Sequence, residues 1–204
     1  MAGKVTVIDL LRHGEPVGGR RYRGQIDDPL SDHGWEQMWR AVSGERPWQA
    51  ILSSPLRRCS EFAKILGSEL KLGVEFDERF KEVGFGNWEG QTGDQLRLHD
   101  KSILSRFYHD PIQNRPHDAE DLNNFNDRVL EAYRNACERF SGQHLLLVVH
   151  AGVIRSIINH TLQAPLSSMY RLSIATASLT RIQIESERPP TLIFMGKSQL
   201  EEHS

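Results

Sequence analysis

The sequence predicts an α/β fold: a three-layer sandwich in which a mostly parallel sheet carries helices on both faces and closes with a C-terminal antiparallel hairpin. Three observations carry this. The runs Val5–Leu11 and Leu145–Val149 are almost continuously apolar, as strands covered on both faces are. Segments with an apolar period near 3.6 residues alternate with such runs along the chain. Near the C-terminus SLTRIQIE, Pro189-Pro190 and TLIFMGK read as strand, turn and strand.

The first strand, interrupted only by Asp9, stops abruptly at Arg12-His13-Gly14-Glu15-Pro16. A Gly- and Arg-rich stretch runs to Gly24. Asp28-Pro29-Leu30-Ser31 then offers a turn and an N-cap for a helix through Trp35, Met38, Trp39 and Val42, with the tryptophan pair in the core. Ala50–Ser53 reads as a second strand, followed by Ser54 as N-cap and Pro55 in the first turn of a helix. Its apolar stripe is Leu56, Cys59, Phe62, Ala63, Leu66 and Leu70. From Phe85 to Pro116 the pattern is broken by Gly, Trp, His and Pro, and one helix over Gln95–Tyr108 is expected. Trp88, in the GNWEG segment, is expected to be a packed aromatic under the loop that carries Glu82. Leu122, Phe125, Val129, Tyr133, Ala136 and Phe140 mark a strong amphipathic helix. The second buried strand ends at His150, and a short helix starts near Val153.

With 204 residues and no composition break, one domain over 1–204 is expected. Lys and Arg number 25 against 27 Asp and Glu, so no global field recruits nucleic acid or an anionic membrane, and any anion must be caught locally. No recognised nucleic-acid-binding motif or basic stripe is present. The apolar runs are too short to span a bilayer and the N-terminus lacks a signal-peptide pattern, so a cytoplasmic protein is expected. Cys59 and Cys137 have neither disulfide-framework nor metal-ligand spacing and are read as reduced packing residues. Oligomeric state is not legible.

In open α/β sheets, ligands bind beyond the carboxyl ends of the strands. Two buried strands end at His13 and His150, and a third ends at Ser53-Ser54, just before Arg57 and Arg58 on the first turn of a helix. A helix N-terminus already favours an anion. Two imidazoles, arginines and that terminus would make a dianion pocket in a chain without net positive charge.

LLRHGEP, SSPLRRC, FKEVGFGNWEG and VVHAGVIR, in that order and spacing, resemble the four motifs of the histidine phosphatase superfamily, which includes the cofactor-dependent phosphoglycerate mutases. The resemblance runs over nearly the whole chain and implies the phosphoglycerate mutase-like version of the fold. It makes His13 the nucleophile, Arg12 and Arg58 phosphate ligands, His150 the second histidine at the phosphate, and Glu82 the general acid and base. It implies a small phosphomonoester as substrate and requires no metal or cofactor. Cationic neighbours would keep His13 neutral and nucleophilic. The arginine fork can hold two phosphate oxygens at once.

The length and the FGNWEG segment resemble the phosphatase branch more than the mutases. RGQ-x-D-x-PLS at Arg23–Ser31 resembles α-ribazole-5′-phosphate phosphatases, which would place Gln25 against the phosphate or the adjoining substrate. Pro16, Gly19, Cys59 and Ala151 depart from common family residues: Thr or Ser, Asn, Ala and Gly. Rival readings are a phosphoglycerate mutase and a catalytically silent phosphate-binding module on the same fold. Arg57 is read as a solvated helix residue. His33, His99, His109, His117, His144, His160 and His203 are read as surface or structural. Specificity is expected in the loops around Val17–Gly24 and Gln91–Pro116.

Overall fold

The computed structural model describes residues 4–200; His203 lies outside the described residues. In chain order the elements are β1 (Thr6–Arg12), α1 (Asp32–Ala41), β2 (Ala50–Ser53), α2 (Arg57–Leu70), β3 (Val74–Phe76), α3 (Gly93–His99), α4 (Ile103–His109), α5 (Leu122–Arg139), β4 (His144–Val149), α6 (Ala151–Thr161), β5 (Leu179–Glu185) and β6 (Arg188–Lys197). They build one six-stranded sheet in the order β3-β2-β4-β1-β5-β6. The four strands from β3 to β1 are parallel, and β5 runs antiparallel to both β1 and β6.

Alternation along the central strands divides the core. Ile8, Leu10, Leu145, Leu147 and Val149 face α5 and α6, meeting Phe125, Val129, Ile154 and Ile157. Leu11, Ile51, Leu146 and Val148 face α1 and α2, meeting Met38, Phe62, Ala63 and Leu66. Strands buried on both faces have no polar side, hence the continuous apolar runs. Asp9 is the exception. Fully buried, it accepts hydrogen bonds from Trp48 Nε1 (2.8 Å), Arg181 Nε (2.8 Å) and Arg181 Nη2 (3.0 Å), and shares one with His144 Nε2 (2.9 Å). A carboxylate is tolerated there because every neighbour is a donor.

Several sequence expectations need correction. Ser54 and Pro55 do not open α2, which begins at Arg57 after Leu56; Ser54 Oγ instead accepts from Leu56 N (3.3 Å). The single helix expected over Gln95–Tyr108 is two, because Asp100 is extended and its carboxylate accepts from Ser102 N and Oγ, forming a turn. Pro189 and Pro190 lie in β6, not in the turn, which is Ser186-Glu187. The sheet edge accommodates them because one of two successive residues faces the open side, where no N–H is needed, and the pairing with β5 shifts register opposite them, between Gln183 and Glu185. Helix α6 starts at Ala151, with His150 at the N-cap position, slightly earlier than expected. Trp35 and Trp39 are half-buried and roof Phe62, with ring centroids 5.9 and 4.9 Å away. The short β3 has no counterpart in the sequence reading. No helix among the described residues is long and apolar enough to cross a membrane.

Candidate active site

The parallel register pairs Arg12 of β1 with Val149 of β4. The next residue on each strand is a histidine, so the two imidazoles emerge side by side. Their ring centroids are 5.2 Å apart, edge to face. His13 N donates to Val149 O (3.0 Å), fixing the strand end. His13 Nδ1 lies 2.7 Å from Gly14 O. A carbonyl only accepts, so Nδ1 carries the proton and Nε2 keeps its lone pair.

His150 occupies the N-cap position of α6 without a side-chain capping bond, and its Nε2 sits 2.7 Å from Ser54 Oγ, just past the end of β2. Cys59 Sγ approaches the same nitrogen at 3.6 Å. Burial, followed by the charges of Arg58 and Arg12, holds His13 well below the usual imidazole range. Burial, Arg58 and His13 do the same to His150. Burial also raises the Cys59 thiol, which suits packing and not reactivity.

Arg58 is fully buried on the first turn of α2, donating to Ile26 O and Gly24 O at 2.7 Å each. Arg12 is anchored on Ile174 O, and burial lowers its pKa to about 10. The Nε of each guanidinium is buried with no acceptor in the protein. Glu82, 7% exposed, accepts from Val83 N (2.9 Å) and Gly152 N (3.0 Å). A carboxyl, two imidazoles and two guanidiniums thus share one water-poor recess whose positive charge and N–H donors suit a tetrahedral dianion.

Gln25 stands apart from this group. It is exposed at the rim, with its backbone N donating to Glu89 Oε1 (2.9 Å) and its side-chain amide beside Gly84. Arg57 is exposed and paired with Glu61. His33, His99, His109, His117 and His160 are exposed, whereas His144 serves the Asp9 network.

Sequence reasoning missed the supports. Arg128 Nη1 donates to the carbonyls of Arg79 and Lys81, Nη2 to that of Glu82, and the guanidinium grips Glu120, whose carboxylate accepts from Gly84 N. Glu89 accepts from the backbone N of Gln25, Ile26 and Phe85 and joins the rim loop to the Glu82 segment. No short motif announces either, because apart from Phe85 for Glu89 and Glu120 for Arg128 the partners lie 36 to 64 residues away.

The model of the histidine phosphatase superfamily (branch 1) matches residues 8–195. The chain belongs to this superfamily. Among relatives, it is 30% identical over 183 residues to the Bifunctional protein Rv2228c of Mycobacterium tuberculosis, covering 87% of this chain and 50% of that one. The chain thus spans about half the length of the first curated relatives it matches. It is 28% identical to the Probable phosphoglycerate mutase GpmB of Citrobacter koseri, covering 87% of this chain and 85% of that one. Among solved structures it is similar to Bacillus stearothermophilus YhfR (TM-score 0.85, 27% identity, 94% and 97% covered). It is also similar to mycobacterial glucosyl-3-phosphoglycerate phosphatase Rv2419c (0.82, 26%, 95% and 99%). A third is the α-ribazole phosphatase from Shigella flexneri (0.80, 25%, 97% and 100%).

Proposed function

We propose that the chain is a phosphomonoesterase that hydrolyses a small phosphorylated metabolite through a phosphohistidine on His13. The observation that carries this reading is the bond from His13 Nδ1 to Gly14 O: it directs the free lone pair to Nε2, in a recess where burial and two guanidiniums keep the ring neutral.

In the first step Nε2 attacks phosphorus as the ester P–O bond breaks, and Glu82 gives its proton to the leaving oxygen. Arg12, Arg58 and His150 neutralise the equatorial oxygens, a task that other phosphatases assign to metal cations. In the second step Glu82 takes a proton from water, the water oxygen bonds to phosphorus, and the P–N bond breaks to release phosphate and restore His13. Gln25 contacts the substrate at the rim.

The reading includes one cytoplasmic domain working without a cofactor. The likeness to the Shigella phosphatase makes α-ribazole 5′-phosphate one candidate substrate. The relative named Probable phosphoglycerate mutase GpmB supports a second reading, isomerisation of 3-phosphoglycerate, assayed after adding 2,3-bisphosphoglycerate. A silent binding module fits less well, since it has no use for a buried carboxyl held on two backbone N–H groups.

Rapid quench with labelled substrate tests the proposal. An acid-labile, base-stable phosphoenzyme is expected with the wild type and none with His13→Ala. Label retained by His13→Ala refutes it.

A further inference from the structure

Most partly buried arginines of this protein have an acidic partner. Arg23, Arg46, Arg79, Arg128 and Arg181 each lie within ion-pair distance of a carboxylate. Among the described residues only four arginines are withdrawn from solvent without one: Arg12, Arg58, Arg115 and Arg155. The first two belong to the proposed phosphate recess. The other two flank a single side chain, Tyr170.

Arg155 stacks over the Tyr170 ring at 5.2 Å and Arg115 over Phe85 and Phe107 at 5.5 and 5.9 Å; Tyr170 itself lies 4.7 Å from Phe107. Each guanidinium is held by carbonyls instead of acids. Arg115 donates from Nη2 to Gly84 O (2.7 Å) and from Nε to Glu120 O (3.1 Å), and Arg155 donates from Nε to Leu172 O (2.9 Å). Arg115 Nη1 and the Tyr170 hydroxyl are buried, and the contact between them falls short of good hydrogen-bond geometry, which leaves both under-satisfied.

The cluster adjoins the recess. Gly84 follows Glu82 by two residues, Arg155 is one turn along α6 from the Gly152 N–H that holds Glu82, and Arg12 is anchored on Ile174 O, two residues beyond the Arg155 anchor. The charges of Glu82, Arg115 and Arg155 all bear on the Tyr170 hydroxyl, which burial pushes up to about 12, so it stays a proton donor at neutral pH.

We propose that Arg115, Tyr170 and Arg155 form a leaving-group subsite for a second anionic group, a carboxylate or a further phosphate, so that the enzyme selects phosphorylated acids or bisphosphates over esters of neutral alcohols. The inference rests on the hydrolase reading and argues against a neutral nucleoside leaving group such as α-ribazole. Two fixed cations without an ion-pair partner cost least when the ligand brings the charge, and stacking on aromatic rings holds each planar guanidinium in one orientation for a two-oxygen partner.

Two matched pairs distinguish the sources: 3-phosphoglycerate against glycerol 3-phosphate for the carboxylate, and fructose 1,6-bisphosphate against fructose 6-phosphate for the phosphate. In at least one pair kcat/KM should favour the more anionic ester by on the order of 10- to 100-fold, the worth of one charge-assisted hydrogen bond. In Arg115→Gln and in Arg155→Gln that ratio should fall toward unity, and Arg115→Lys should restore part of it. Both esters meet the same enzyme sample, so the ratio is independent of any loss of folded protein. Should one glutamine variant not fold, the other and the wild-type ratio decide. Equal constants in both pairs for the wild type, or ratios unchanged in the variants, overturn the subsite while hydrolysis of p-nitrophenyl phosphate leaves the hydrolase standing. No hydrolysis of any ester overturns both.

Discussion

Replacing Gly152 by Ala should separate catalysis from stability. A Cβ built at this position lies 2.1 Å from Glu82 Oε1, 3.1 Å from its Cδ and 3.3 Å from Phe125 Cζ. Helical backbone suits alanine better than glycine by about 1 kcal/mol, and the atom in the way is the tip of a side chain that can rotate aside. The fold should therefore absorb the change, with the melting temperature moving by only a few degrees. The carboxyl cannot absorb it without function. To reach ordinary contact it must retreat by about 1.3 Å, which strains its bonds from Val83 N and Gly152 N, and a misplacement of that size costs on the order of 10²-fold. The assay is kcat/KM on an alkyl phosphate alongside a thermal melt. Wild-type activity at an unchanged melting temperature would show that the position of Glu82 is irrelevant to turnover. A collapsed melt would show that the backbone, and not the carboxyl, takes the strain.

Four further outcomes are expected. Glu82→Gln should slow phosphorylation by an alkyl phosphate by on the order of 10²- to 10⁴-fold, yet leave a burst of nitrophenolate from p-nitrophenyl phosphate followed by a slow phase; equal slowing of both bursts removes Glu82 as the acid. The imidazole NMR signal that disappears in His13→Ala should not titrate in the wild type between pH 8 and 6, since burial and two guanidiniums disfavour its charged form; a midpoint near the ordinary 6.5 refutes this. Asp9→Asn should cost about 2–4 kcal/mol in urea melts at neutral pH. Burial alone would raise the Asp9 pKa, but the bonds from His144 and Arg181 lower it below 3.8, so its contribution is present above about pH 4 and is lost as pH falls through the lowered folded value; a variant as stable as wild type at pH 7 contradicts the network. Turnover should be indifferent to EDTA, and loss on chelation that Mg²⁺ or Zn²⁺ restores refutes a metal-free phosphate site.

The sheet and the strand-end residues were legible because each rests on a local signal. A strand buried on both faces is almost wholly apolar, so β1 and β4 announce themselves, and the polar residues that end each run, Arg12-His13 and His150, mark the carboxyl edge. What could not be read depends on distant partners or on single turns. The break between α3 and α4 is made by the Asp100 carboxylate bonding Ser102. Strand β3 is only Val74–Phe76, paired along one side to β2 and largely exposed, so its burial pattern is too weak to register. The hairpin turn was misplaced because Pro189 and Pro190 are strong turn formers that here occupy the sheet edge. Neighbouring carboxylates are occupied: that of Glu89 is committed to three backbone N–H groups, and Glu78 is an exposed partner of Lys81. The carboxylate-free pair Arg115 and Arg155 is invisible without coordinates, since what distinguishes it is the absence of a neighbour.

The turn at Ser186-Glu187 pairs Glu185 with Arg188 beyond the amino end of β1, where Thr6 aligns with Ile184, while His13 and His150 sit at the other end of the same strands. The length of the sheet therefore insulates one end from the other. A fluorophore, an affinity handle or a surface tether placed at that turn reports on or immobilises the enzyme without entering the recess, and new chain termini opened there would leave the strand pairing that aligns the two imidazoles uncut.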